Sequence, residues 1–362
     1  MHEEKDGELG ISNRVSRYSI HGMCTFDILD HAGAGVQKLL DVQGRYRCFQ
    51  TVYDPAVAPD LRVTIGRFQP QLQGCQSLDD VYLVKEDYLY HGGEKYKLGA
   101  GWSFEVSGLS AATIELRIAA NWLGRPFIAG KIIDFFICYL LLQRGVSLLH
   151  ASAVASQGNV YVFGARGGGG KTTLALAAAL DRKLDFLGDN FVLLKDGQVY
   201  SYLSDLNMFK YNLHPQVWQS LTGFERMRFN LWLLVYHLSL GYIKVFSPVN
   251  PMRFLQAVTP DCGRMYKLSL LRTGWEYACM PGDRQALAAQ MINNLRLEFF
   301  PFVRHTALFG CVFPQSAFAR VWDTYASTLL TNLPETAAYL SVSVPAVISD
   351  RVKQQALDEA AR

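Results

Sequence analysis

The sequence predicts a mixed chain, α/β or α+β, in which a β-rich N-terminal domain precedes a domain built on a mixed sheet. Three observations predict it. From Arg17 to about Ile118, short alternating apolar runs are broken by Gly, Pro and Asp, which is the patterning of strands. After Trp122 the rhythm changes, and Ala129–Arg144 has the length and apolar face of a helix. Beyond it come an apolar strand, a glycine-rich turn, an Ala/Leu-rich helix and further short strands. The chain has 362 residues, half of them apolar, enough for one large domain or two ordinary ones.

The elements follow in order. Residues 1–12 read as a loose tail. Tyr46–Val52, Leu61–Phe68, Val81–Val84, Tyr88–Tyr90 and Thr113–Ile118 read as strands, with one short helical pattern at Val36–Leu40. Val160–Phe163 is a short strand, Gly164–Gly170 a turn and Thr172–Leu180 a helix. Phe186–Leu187 and Phe191–Leu194 read as strands flanking Gly188-Asp189-Asn190. Asp196-Gly197 stands where a hairpin turn belongs, with Val199–Tyr202 returning. Met265–Leu271 and Tyr339–Val344 read as strands, and Arg284–Leu297 and Ser316–Leu330 as helices. Arg304-His305, after the apolar turn Phe299–Phe302, reads equally as a pair contacting phosphate or as a loop. Domains are drawn as 1–120, 121–349 and a C-terminal tail, 350–362, either a charged helix or a frayed end.

Composition excludes several classes. Net charge is +3, too small for a nucleic-acid surface, and no Lys/Arg-rich run occurs. Seven cysteines lack any C-x-x-C pair, so neither a disulfide framework nor a zinc site is indicated. The first residues are charged and polar, unlike a secretory signal, so a cytoplasmic setting is expected. Phe127–Leu149 is very apolar, but Lys131, Asp134, Gln143 and Arg144 interrupt it, so it reads as a buried helix and not a span. Leu231–Phe246 contains His237, Gly241 and Lys244; it reads as a core or interface helix, with a segment lying on a membrane as the lesser alternative.

Ala165-Arg166-Gly167-Gly168-Gly169-Gly170-Lys171-Thr172 fits the looser Walker A pattern, with Ala165 where Gly is usual. Glycines allow a tight turn with inward N–H groups, and the helix that follows adds the positive end of its dipole. Lys171 would reach the β- and γ-phosphates of a nucleoside triphosphate, ATP or another. Thr172 would place its hydroxyl on Mg²⁺. Thr173 belongs to the loop as a neighbour without a role of its own. A flexible surface loop would also be glycine-rich, but the strand before and the helix after favour phosphate binding.

Leu149-His150-Ala151-Ser152-Ala153-Val154, Tyr161-Val162-Phe163-Gly164, Lys171-Thr172-Thr173-Leu174-Ala175-Leu176 and Phe186-Leu187-Gly188-Asp189-Asn190 together resemble the core of HPr kinase/phosphorylase-like proteins, which share the phosphoenolpyruvate carboxykinase fold. The match covers about Leu148–Leu194. The resemblance implies that His150 sits beside the catalytic carboxylate, hydrogen-bonding and orienting Asp189. It implies that Lys171 and Thr172 serve the phosphates and Mg²⁺. In the family two adjacent aspartates share the metal and the acceptor's proton; here they correspond to Asp189 and Asn190, both expected near the metal. Asn190 departs from the pattern, since an amide can ligate a metal but cannot take a proton. The signature segment of the bifunctional enzymes is absent, so a single-function relative is expected, not a kinase of HPr itself. The family also implies a homo-oligomer. Arg284 corresponds weakly to a basic residue used later in the family. Asp205 and Lys210 read as solvated residues.

These observations lead to an ATP- and Mg-dependent phosphotransferase acting on the hydroxyl of a peptide, a serine or a small molecule, with Asp189, His150 and Lys171 as its catalytic residues. The rival is a nucleotide-binding regulatory or assembly module without transfer. A nucleotide hydrolase is the third reading, for which no water-positioning residue is identifiable. No nucleic-acid partner and no membrane contact are expected.

Overall fold

A computed structural model describes residues 15–31, 42–95, 99–209, 212–239, 247–255, 258 and 262–361. The helix read at Val36–Leu40, the loose N-terminal tail and Lys210 lie outside the described residues. The chain is mixed, with two large sheets that each contain parallel and antiparallel pairs, and it divides into two compact units.

The first unit is Met1–Ile137 with Leu308–Phe318. Its strands are β1 (Val15–Ile20), β2 (Cys24–Asp30), β3 (Gln50–Thr51), β4 (Leu61–Ile65), β5 (Gln76–Ser77), β6 (Tyr82–Lys85), β7 (Tyr88–Lys95), β8 (Gly101–Ser107) and β9 (Ile114–Ala120). They form one sheet in the order β3-β1-β2-β4-β9-β8-β7-β6-β5, in which β2, β4 and β9 run parallel. Alternate residues supply the core, for example Leu61, Val63 and Ile65 beside Ile114, Leu116 and Ile118. Arg17 on β1 clasps Asp27 on β2 through two bonds of 2.7 and 2.8 Å, and both side chains are buried.

One expectation needs correction here. Tyr46–Val52 is not a strand: Gln43–Phe49 is a 3-10 helix, and only Gln50–Thr51 pairs. The buried residues Tyr46 and Phe49 are spaced by three, not two, and Tyr46 packs edge-on against Phe26 at 5.1 Å. The unit also continues past residue 120. Helix α1 (Arg125–Ile128), a wide π turn (Ala129–Ile133) and the first turn of α2 (Asp134–Gln143) belong to it. Arg125 pairs with Asp30, while Arg45 and Tyr46 hold the fully buried Asp134, the Tyr46 bond being 2.9 Å. Phe318 stacks on Phe136, which brings Leu308–Phe318 back to the same unit. Arg125–Gln143 is, among the described residues, one helical stretch long and apolar enough to cross a membrane, and 72% of its apolar window is buried.

The second unit is Cys138–Ala307 with Ala319–Arg362. It contains β10 (Ser147–Leu149), β11 (Ala151–Ser156), β12 (Asn159–Gly164), α3 (Lys171–Asp181), β13 (Asp185–Gly188), β14 (Val192–Lys195), β15 (Gln198–Tyr200), β16 (Leu206–Met208), α4 (Pro215–Ser220), α5 (Gly223–Leu238), β17 (Ser247–Val249), β18 (Cys262–Gly274), β19 (Ala278–Pro281) and α6 (Arg284–Glu298). Then come α7 (Phe300–Val312), within which the chain passes to the first unit, α8 (Val321–Asn332), β20 (Ala338–Pro345) and α9 (Asp350–Ala361). The main sheet runs β10-β14-β15-β18-β12-β11-β13, with β19 and β20 attached at β18. β12, β18 and β20 are parallel, and β11 is antiparallel between β12 and β13.

Helix α3 owes its burial to the run Leu174–Ala179, which packs with Phe163, Leu271, Val342, Val344, Ala356 and Leu357. The last two lie on α9, so residues 350–361 are a docked helix of this unit and not a separate tail or frayed end. Lys267 Nζ adds a 2.8 Å bond to the Glu359 carbonyl. Arg304-His305 lies on helix α7, not in a loop; His305 is buried edge-on against Phe302 at 4.9 Å. The helix read from Ser316 begins at Val321. Within Leu231–Phe246, the described part is the end of α5, and its large apolar residues Leu231, Trp232, Leu234, Tyr236 and Leu238 are exposed, so it is not a core helix.

Candidate functional site

The site begins where β12 ends. Gly164 is the last paired residue of β12, and a Cβ there would come within 2.5 Å of Met291 Sδ on α6. Ala165 is buried in the core cluster, which accounts for an apolar residue at this position. The chain then turns outward: Arg166, Gly167 and Gly168 are exposed, and the Gly169 N–H donates to the Arg166 carbonyl at 3.0 Å. Gly168 and Gly170 have φ of 82° and 91°, a backbone that side-chain-bearing residues rarely adopt. Helix α3 starts at Lys171 with Gly170 as its N-cap and no side chain capping its first N–H groups. Those amides are therefore open to an anion.

Lys171 is 5% exposed and takes no carboxylate partner among the described residues. Thr172 lies one residue on, and its hydroxyl is 2.9 and 3.0 Å from the two carboxylate oxygens of Asp189. Asp189 follows directly on β13 and is 2% exposed. Its second hydroxyl donor is Ser152 on β11, also buried. The pairing of β11 with β13, which slips between Ala153 and Val154, sets Ser152 beside the end of β13. Gly188 permits the close passage there: a Cβ would meet the Phe191 and Tyr202 carbonyls at 2.9 and 3.0 Å.

The expectation that His150 hydrogen-bonds and orients Asp189 is corrected. The partners of Asp189 are the Ser152 and Thr172 hydroxyls. His150 precedes β11, is buried, and packs against Phe191 with ring centroids 5.8 Å apart. It lines a cleft of about 310 Å³ with Arg166, Gly167, Asn294, Leu297 and Glu298, so it borders the loop from the α6 side. Ser152 was missed by sequence reasoning. Asn190 has φ of 67° and is partly exposed. Asn and Asp are the side chains that tolerate that left-handed backbone best, so the turn itself favours either residue. Thr173 is partly exposed on the first turn of α3. Arg284 is committed elsewhere: its guanidinium donates to the Leu330 and Leu333 carbonyls at the end of α8.

Chemically, the site holds a buried cation and a buried anion that do not neutralise each other, set around a turn of open amides. Asp189, Thr172 and Ser152 offer hard oxygen donors suited to a small divalent cation. Among the described residues, no group of three or more His, Cys, Asp or Glu could hold a metal ion. A cation here would thus need further oxygens from a ligand such as phosphate. The chain matches no family model, and a comparison with curated proteins finds no match.

Proposed function

We propose that the protein binds a nucleoside triphosphate with Mg²⁺ at residues 165–173 and transfers its terminal phosphoryl group to a hydroxyl acceptor. The observation that carries this reading is the burial of both Lys171 and Asp189, with no ion pair between them among the described residues. A buried charge without a counter-ion is costly, and a ligand that brings both an anion and a cation removes that cost at both ends. Thr172 Oγ1 and the Asp189 carboxylate already lie side by side, in hydrogen-bond contact, and would be the hard oxygens that hold the ion.

When bound, Mg²⁺ would neutralise charge developing on the phosphates. The chain's own residues do the positioning. The amides of the loop and of the first turn of α3 hold phosphate oxygens, and Lys171 sets its ammonium against the β- and γ-phosphates. Ser152 fixes one carboxylate oxygen of Asp189 while Thr172 touches both. Asp189 is also the candidate to accept the acceptor's proton, because Asn190 cannot. The cleft beside His150, with Arg166, Asn294 and Glu298, is wide enough to admit a peptide side chain or a small hydroxyl compound. The likeness of the Leu148–Leu194 segment to HPr kinase/phosphorylase-like proteins supports the same reading, and with it we propose a phosphoenolpyruvate carboxykinase-like fold and a homo-oligomer.

A second reading is a nucleotide-binding regulatory or assembly module without transfer. It is favoured by the single carboxylate and by the exposed apolar side chains of α5. The test is incubation with γ-labelled ATP, Mg²⁺ and an extract of the source cells, with Lys171→Ala and Asp189→Asn run alongside. Label entering an acceptor, and lost in both variants, is the expected result. ATP binding that depends on Lys171, without label in any acceptor, would replace the kinase reading by the module.

A further inference from the structure

Strands β18 and β20 do not stop where β12 stops. Gly164 at the end of β12 pairs with Leu270, but β18 runs on to Gly274 and β20 beside it to Pro345. At about 3.3 Å per residue, this overhang forms a wall on the order of 10 Å long at the carboxyl ends of three parallel strands, where open α/β sheets bind ligands. The wall stands beside the phosphate loop. Leu271, Val342 and Val344 pack in the same cluster as α3, and a Cβ on Gly170 would meet Ile348 Cδ1 at 2.5 Å and Val344 Cγ2 at 3.9 Å.

Two large apolar side chains stand at the far end of this wall. Trp275 is 101% exposed and Val347 is 84% exposed. They follow Gly274 and Pro345, which are paired with each other. A single exposed apolar residue needs no explanation. These two follow a directly paired Gly274 and Pro345, and Val347 precedes Ile348, whose side chain lies against the N-cap of α3. The overhang past the end of β12, on the order of 10 Å, is a length that a ribose and its inner phosphates span. Resting on the reading that the loop binds nucleotide phosphates, we propose that Trp275 and Val347 form the platform for the nucleobase. Trp275 supplies the stacking face and Val347 covers an edge. An indole stacks on any base without reading its hydrogen bonds, so the platform favours an aromatic base over none and discriminates weakly among bases.

The test separates base from phosphate by measuring, with Mg²⁺, the affinity of the full chain for ATP and for inorganic tripolyphosphate. Wild type is expected to bind ATP more tightly than tripolyphosphate. Trp275→Ala is expected to weaken ATP roughly tenfold and leave tripolyphosphate unchanged, with Trp275→Phe retaining most of the ATP affinity. Lys171→Ala is expected to weaken both. An unchanged ATP affinity in Trp275→Ala would overturn the platform and leave the phosphate loop standing. An equal loss for both ligands in Trp275→Ala would overturn it too, as damage to the fold and not loss of stacking. Failure of wild type to bind either ligand would remove the phosphate reading and the platform with it.

Discussion

Asp27 in the first unit and Asp189 in the second are both 2% exposed, yet they are satisfied in opposite ways. Asp27 lies within a bidentate clasp from Arg17, charge against charge at 2.7 and 2.8 Å. Asp189 has two hydroxyls, Ser152 and Thr172, which donate hydrogen bonds but carry no charge. A carboxylate neutralised by a guanidinium across β1 and β2 is finished as a structural element. A carboxylate solvated only by hydroxyls keeps its charge for something else. Burial alone therefore does not distinguish a structural acid from a working one; the charge of its partners does.

The contrast is sharpest in substitution to Asn, which keeps shape and removes charge. Asp189→Asn is expected to lower phosphotransfer at least about a thousandfold, measured as turnover of γ-labelled ATP, while the melting temperature holds or rises. Asp27→Asn is expected to do the reverse. It leaves Arg17 as an uncompensated buried charge, so the unfolding free energy should fall by about 3–5 kcal/mol in a denaturant titration. Activity per folded molecule should be unchanged. A large stability loss in Asp189→Asn would show that Asp189 is a structural acid after all.

Ser152→Ala gives a smaller effect. It removes one of the two hydroxyls from Asp189 without touching the charge. Changes of this kind behind a metal ligand cost about 10- to 100-fold in metal affinity or activity. The expected signature is a higher Mg²⁺ requirement with the ATP affinity nearly intact. His150→Ala, which leaves both partners of Asp189 in place, should shift that Mg²⁺ requirement less than Ser152→Ala.

What was legible in the sequence follows the same physical division. The glycine turn between β12 and α3 was legible because a chain that reverses sharply from a strand into a helix needs backbone angles that glycine adopts most readily. Gly168 and Gly170 do adopt positive φ. The strand at Asn159–Gly164 and the helix at Lys171–Asp181 lie within a residue or two of their expected bounds. Ser152 was not legible, because its contact with Asp189 depends on the slipped pairing of β11 with β13, which no local pattern encodes. Tyr46–Val52 misled because aromatic residues favour strands locally, while Tyr46 is claimed by Asp134, 88 residues away. The first unit's continuation to Ile137 was not legible, because Arg45 and Asp30 reach forward to the helix that follows.

A third carboxylate completes the series and gives the smallest effect. Glu225 closes a capping box with Thr222 at the start of α5 and pairs with Arg253 at 2.7 Å. That guanidinium lowers its pKa from 4.5 to about 2. A group whose pKa is lower when folded stabilises the fold above its unfolded value, and that contribution is lost as pH falls. The pair's contribution should therefore be complete above about pH 4.5 and disappear as pH falls toward 2. Both side chains are partly exposed, so solvent limits it to about 1 kcal/mol or less. Glu225→Gln should remove that pH-dependent increment from a set of denaturation curves between pH 5 and 2, leaving stability at pH 7 lower by the same small amount. Unlike Asp189, Glu225 has a charged partner, so phosphotransfer at pH 7 should not change; a loss of transfer in Glu225→Gln would mean that α5 reports on the site and that the partner-charge rule is incomplete.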